Sequence, residues 1–321
     1  MKKLSELTDF YYKVLYSPLQ KLEEDRKALR YRIFLYGSIY TFIYALLLFS
    51  IKGLFFHSFE IIAFAGVLYI GIGSFLYKML IKDYTQEFKA QIIEPLIQEI
   101  DSNLSYLPTM HISERLFRNS KLFTSRIDKF EGNDFVTGKI DDVDIQFSDV
   151  HAKRKNKNSK GQDNWSTVFQ GLFIVADFHK HFKGSTVVLP DTAQNTFGDL
   201  VGGWLQSKNV SREELVKMDD PEFEKAFVVY ATNQVEARYI LTHALMKKLL
   251  DFKKRSSHPL HISFVGGSIH IAIENNKDLF EPSVFHSLLD YKIAMEYVKT
   301  LHLAIGVIHE LKLNQKLWSK Q

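Results

Sequence analysis

The sequence predicts an α+β protein: an N-terminal two-helix transmembrane hairpin followed by a soluble domain with a mostly antiparallel sheet and flanking helices, including a long C-terminal one. Three observations carry this. Ile33 to Ile51 and Ile61 to Tyr77 are uncharged and apolar, and only the short connection Lys52 to Glu60 separates them. Short runs of alternating apolar and polar residues then follow one another through turn signals, as hairpin-linked strands do. Helical spacing returns in separate blocks, the last of them after Pro282. Strands that neighbour through hairpins, with helices set apart, make an α+β domain.

Each apolar run approaches the ~20 residues needed to cross a bilayer at 1.5 Å per residue. Backbone groups in hydrocarbon need internal partners, so both runs are expected to be helices. A buried pair in a soluble protein would carry a polar face, and these runs show only scattered Ser, Thr and Tyr. Eight cations, Lys2 to Arg32, precede the first span, and Lys78, Lys82 and Lys89 follow the second. The connection holds Lys52 alone. Positive residues stay inside, so both termini are expected in the cytoplasm and the protein in the cell's inner membrane as a multi-pass chain. Gly37, Thr41 and Ala45, with Ala63, Val67 and Gly71, form small-residue stripes for packing within the hairpin; dimerisation between chains is the competing use.

Composition narrows the function classes. The net charge of +4 on 321 residues gives no global basic surface for nucleic acid. With no cysteine, disulfides, thiolate metal sites and cysteine nucleophiles are excluded. No cofactor fingerprint is present: no phosphate loop, no Gly-x-Ser-x-Gly elbow, no His-Glu-x-x-His.

In order along the chain, residues 1–32 read as a cytoplasmic helical segment, with aromatics and lysines near the headgroups and a helix start at Ser17-Pro18. Residues 33–81 are the transmembrane hairpin. Residues 82–127 read as a helical stalk: a helix over Lys82 to Ile100 kinked or restarted at Pro95, a break at Asp101-Ser102-Asn103 and Pro108, and one more short helix, capped by Ser113, through about Ile127. Residues 128–321 are the cytoplasmic α+β domain. Within it Val143, Ile145 and Phe147 alternate with polar residues as in a half-buried strand, and Trp165 to Phe178 reads as a central strand. Between them, His151 to Asn164 reads as a polar, mobile hairpin tip. Ser185 to Leu189 and Phe227 to Ala231 are strands; Thr196 to Gln206 and Gln234 to Lys254 are helices. Ile262 to Val265 and Ser268 to Glu274 form a hairpin around Gly266-Gly267. A helix over Phe285 to about Leu311 ends the domain.

The soluble part resembles a bacterial family of two-pass membrane-anchored proteins catalogued only as a domain of unknown function. The resemblance lies in Gly171 to Phe178 with Lys180, Phe182 and Gly184, in Val187 to Asp191, in Pro221 to Tyr230 continuing through Gln234 to Thr242, and in Ile262 to Ile273 followed by Leu279-Phe280-Glu281. It implies the same topology and brings no catalytic residue with it.

Three places are candidates for chemistry. Lys153, Arg154, Lys155, Lys157 and Lys160 would draw the domain onto an anionic leaflet, each cation contributing roughly 1 kcal/mol. A solvated loop is the plain alternative. Asp177, His179 and His181 alternate at a strand end and with Arg238 make a speculative polar site, although the flanking Lys180 and Lys183 disfavour a metal there. His261 and His270 are read on the outward, solvated face of their hairpin, and Asp219-Asp220-Pro221-Glu222 as a helix N-terminus. The resulting expectation is a membrane-anchored binding module for a protein, peptide or anionic lipid, without catalysis. A membrane-tethered enzyme, with its site at the end of the 165–178 strand, is the alternative.

Overall fold

A computed structural model describes residues 4–50, 59–157, 161, 163–178, 183–191, 214–256 and 258–311. It divides into two compact units. One comprises Ser5–Leu96 with Glu281–Glu296; the other comprises Ile97–Phe280 with Tyr297–Gln321 and the first four residues. The fold is the expected mixture: two long apolar helices near the N-terminus, then an antiparallel sheet with helices and a C-terminal helix.

In the first unit, α1 (Leu4–Lys13) precedes α2 (Tyr16–Ser50), and α3 (Phe59–Phe88) follows. Both α2 and the helix through Ile100 are long and apolar enough to cross a membrane, and the most apolar 18-residue stretch of each has no buried residue. The helices meet through tyrosines. The Tyr40 hydroxyl donates to the Tyr69 carbonyl at 2.8 Å, Thr41 Oγ1 and the Tyr69 hydroxyl lie 2.7 Å apart, and the Tyr40 ring stacks on Tyr69 at 4.9 Å. These bonds satisfy hydroxyl groups on an otherwise apolar surface across the contact between the two helices. The small-residue stripes do less than expected: nothing lies within 4 Å of a Cβ built on Gly37 or Gly71, and Val67 is exposed. It is Gly73 that admits the Tyr40 ring.

Below the apolar segments the same unit has a polar lock. Arg26 and Glu23 are both buried, and Arg26 Nη2 reaches Glu23 at 2.7 Å. Arg26 Nη1 donates to the Val284 carbonyl at 2.8 Å, and Glu23 accepts the Leu288 N–H at 3.1 Å. Burial pushes the Glu23 carboxyl up, but the bonds from Arg26 and Leu288 outweigh it and hold it below the ordinary range. These bonds claim backbone groups of 281–290. The final helix, α9 (Tyr291–Leu311), therefore begins at Tyr291, not at Phe285 as the spacing predicts, with the Asp290 carboxylate accepting the Lys292 N–H. Tyr11 is fully buried with its hydroxyl toward the Leu288 carbonyl, so this aromatic packs inside the unit and is not a headgroup contact.

Helix α3 widens at its end into one π turn, Lys89–Ile93, before α4 (Glu94–Ile100). The Glu94 N–H donates to the Lys89 carbonyl five residues back. Pro95 follows at once and has no N–H to give, so the irregularity falls where a regular ladder would break. The helix ends at Ile100, before the break that Asp101-Ser102-Asn103 marks in the sequence. Strand β1 (Leu104–Leu107) follows, and the Ser113-capped helix is short, α5 (Glu114–Asn119).

Among the described residues the second unit is built on nine strands in the order β1-β2-β3-β4-β9-β8-β5-β7-β6, every pairing antiparallel. After β1 come β2 (Lys129–Ile140), β3 (Val143–Lys157), β4 (Asp163–Asp177), β5 (Ser185–Pro190) and β6 (Glu214–Val216). Then follow α6 (Pro221–Ala226), β7 (Phe227–Ala231), α7 (Gln234–Ile240), α8 (His243–Ser256), β8 (Leu260–Val265) and β9 (Ser268–Glu274). Asp220 caps α6 as its position predicts, accepting the Glu222 and Phe223 N–H groups. The helix expected over Gln234–Lys254 is two. Asn233 caps the first, and the Thr242 hydroxyl accepts the Leu245 N–H to start the second.

Both faces of this sheet are covered. Phe173, Val175, His270, Ala272, Ser263 and Val187 lie in register on one face. Residues 112–127 pack on it through Phe117 and Phe123, whose rings stack at 5.1 Å. His261 and His270 are therefore buried, 4% and 2% exposed, not solvated as their alternation suggests. His261 Nε2 pairs with Glu274 at 2.9 Å, and burial pushes the His270 imidazole down to about 4. The other face carries Ile145, Phe147, Ile174, Ile262, Phe264 and Ile271, all fully buried or nearly so.

Candidate functional site

Strands β3 and β4 outrun their neighbours. Strand β9 leaves β4 at Gly171 and β2 leaves β3 at Lys153, whereas β3 and β4 stay paired to Lys157 and Asp163. The basic stretch is thus not a loose tip but a two-stranded arm standing out from the sheet. Its side chains alternate across the ribbon. Lys153, Lys155 and Lys157 share a face with Thr167, Trp165 and Asp163; Arg154 and Asn156 occupy the other with Ser166 and Asn164.

Local bonds tie the arm together beyond the irregularity in the ladder at Ala152/Lys153. The Asp128 N–H donates to the Lys153 carbonyl, and Asp128 Oδ2 accepts the Lys155 N–H, each at 2.9 Å. That second bond, helped by Arg126 and opposed by desolvation, holds the Asp128 carboxyl below the ordinary range. Arg154 Nε and Asn156 Nδ2 both donate to Ser166 Oγ, at 3.1 and 2.7 Å. Lys155 Nζ is neutralised by Asp163 at 2.7 Å. Lys153, Arg154 and Lys157 keep the arm cationic, and Trp165, 48% exposed, sits directly across from Lys155. The indole gives this cationic ribbon one apolar edge beside its ammonium groups.

Of the second expected site, only Asp177 and Arg238 lie among the described residues. Asp177 ends β4, paired with Ser268. Arg238 is exposed and donates to the Lys217 carbonyl at 3.4 Å, and it makes no bond to Asp177. Lys160, His179, His181 and the expected helix over Thr196–Gln206 lie outside the described residues. Glu236 is structural: its carboxylate accepts the Lys183 and Gly184 N–H groups, both at 3.0 Å. Among the described residues, no group of three or more His, Asp or Glu side chains is placed to hold a metal ion.

Sequence reasoning passed over a buried acidic pair. A bulge between Asn133 and Val136 turns Asp134 inward with positive φ, where it accepts the Tyr106 hydroxyl. Asp149, on β3 opposite Asn133, accepts the Leu279 N–H at 3.2 Å through Oδ2, while its buried Oδ1 has no partner. Burial first, then the charges of Asp278 and Asp134, pushes the Asp149 carboxyl up to about 8. It holds a proton at neutral pH. The only signal in the sequence is an aspartate at an apolar strand position, Phe147-Ser148-Asp149-Val150.

Residues 167–313 match the family model described as protein of unknown function (DUF3137). That bears out the expected resemblance to a family catalogued only as a domain of unknown function. The matched span contains β9, β8, β5 and β7 and reaches the end of α9; the outer half of the arm precedes it. No curated protein matches. Among solved structures, the chain is similar to the mycobacterial trehalose monomycolate transport factor A, TtfA, at 10% identity and a TM-score of 0.31, over 64% of this chain and 91% of that one.

Proposed function

We propose that the chain is an interaction module anchored in the cell's inner membrane, with both termini cytoplasmic and the sheet unit working at the inner leaflet. The observation that carries this reading is the surface of α2 and α3. Phe42, Phe64, Val67 and Ile70 are each about two-thirds exposed, on helices that direct hydroxyl groups at each other. An apolar surface of that extent facing water would be an aggregation hazard; facing lipid it is at rest. The β3–β4 arm then docks on anionic headgroups. Lys153, Arg154 and Lys157 contribute roughly 1 kcal/mol each within a Debye length of the surface, enough to bias a domain that is already tethered.

The cysteine-free sequence makes topology directly testable. Single cysteines at Ser17, Ser58 and Asp144 are labelled with a membrane-impermeant maleimide. The expected result is labelling of Ser58→Cys in intact spheroplasts and of Ser17→Cys and Asp144→Cys only after lysis. Labelling of Asp144→Cys from outside, or release of the chain by alkaline carbonate, refutes the reading.

A further inference from the structure

The two apolar helices leave a groove of about 780 Å³ along their contact, walled by Ile33, Gly37 and Ala45 on α2 and by Tyr69, Gly73 and Tyr77 on α3. From Ile33 to Ala45 is ~18 Å at 1.5 Å per residue, close to one leaflet's half of a ~30 Å hydrocarbon core. The walls are mainly apolar, and the Tyr40, Thr41 and Tyr69 hydroxyl groups beside them are bonded to each other or to backbone. Such a slot has the length and chemistry of one acyl chain.

Its mouth is cationic. Arg30 lies three, four and seven residues before Ile33, Phe34 and Gly37, so it continues their face of α2. Lys78 lies one turn beyond Ser74, another wall residue. Both cations are exposed, and neither has an ion pair or hydrogen bond among the described residues. Residues 28–33 and 78–83 hold Arg30, Arg32, Lys78 and Lys82 against Asp83 alone. We propose that the groove is a binding site for an anionic phospholipid, one acyl chain filling the slot and the phosphate held by Arg30 and Lys78. The inference rests on the reading that these helices cross a bilayer. It adds a specific, stoichiometric lipid to the diffuse attraction of the arm.

Gly37 offers a clean test. Nothing lies within 4 Å of a Cβ added there, so Gly37→Leu puts its side chain into the slot without displacing the helices. The full-length chain in mild detergent is titrated with phosphatidylglycerol or phosphatidylcholine and examined by native mass spectrometry. The expected result is a single retained lipid, with phosphatidylglycerol favoured by about fivefold or more. Gly37→Leu should lose the adduct with both lipids. Arg30→Glu, at an exposed position, should lose the preference while the chain stays in the membrane. Equal retention of the two lipids, or variants that bind as the native chain does, overturns the site. Carbonate extraction of the same membranes separates the two readings. A chain that stays in the bilayer without a selective adduct sinks only the lipid site; a chain that leaves it sinks both.

Discussion

Replacing Asp149 with asparagine should make the sheet unit more stable, by an amount that grows with pH. In the folded chain burial and the charges of Asp278 and Asp134 push this carboxyl from an ordinary 3.8 up to about 8. Unfolded, it loses its proton near pH 4; folded, it keeps it until about pH 8. The folded state therefore binds the extra proton across that window, and stability falls as pH rises through it. Each pH unit is ~1.4 kcal/mol, so the burden at pH 7 is about 4 kcal/mol. Asparagine keeps an oxygen for the Leu279 N–H and carries no proton to lose. Its amide N–H, set where Oδ1 now lacks a partner, costs about 1–3 kcal/mol at any pH. The pH-dependent part is free of that offset: the stability gap between Asp149→Asn and the native chain should widen by about 3 kcal/mol from pH 5 to pH 7. Guanidinium unfolding of the full chain in mild detergent measures it by intrinsic fluorescence, with Trp165 on β4 as the reporter in the sheet unit. A gap that stays constant over those two pH units would mean that Asp149 is ionised in the fold, and the reasoning would fail.

Phe117 stacks on Phe123 and lies within 6 Å of Phe130, Phe169 and Phe173, so Phe117→Ala should cost about 3–5 kcal/mol by the same unfolding assay. Arg26→Ala strands the buried Glu23 carboxylate and should destabilise the helical unit by about 3–5 kcal/mol. Protease cutting between Glu281 and Asp290, followed by mass spectrometry, should rise accordingly, and unchanged protection would refute the lock. Reversing Lys153, Arg154 and Lys157 to glutamate should weaken flotation of the full chain's arm-dependent crosslinks to anionic vesicles by about a hundredfold or more at low salt, with unfolding unchanged. Crosslinking from a photoreactive group at Trp165 reads this directly, and an undiminished yield would count against arm docking.

What the sequence discloses is what neighbours in the chain decide. The apolar helices, the Gly266-Gly267 hairpin and the Asp220 cap each depend on a few consecutive residues, and each is found where expected. Misreadings arise where a distant segment decides. Alternation places Ser263 opposite His270 correctly, but the burial of that face depends on Phe117 and Phe123, more than a hundred residues away. Strand β2 escapes notice because Gly132 and the bulged Asp134 interrupt its period. The arm reads as loop because a ribbon standing clear of the core has no need to hide alternate side chains, and its pairing leaves no apolar trace. Of the candidate site, the cations and Trp165 are visible as residue types; their division between two faces is a property of the register alone.

The strand order also sets a timetable. Strands β1 to β4 can pair as each leaves the ribosome, but the inner edge of β4 waits for β9, roughly a hundred residues later. At typical synthesis rates of ~5–20 residues per second the open edge persists for about 5–20 seconds. During that interval the earlier apolar helices have already emerged, so a nascent chain delivered to the bilayer by them would complete its sheet in place, with fewer identical edges within reach than in open cytosol. Moving the hairpin to the end of the gene should thus yield more aggregate while leaving every native contact of the sheet available.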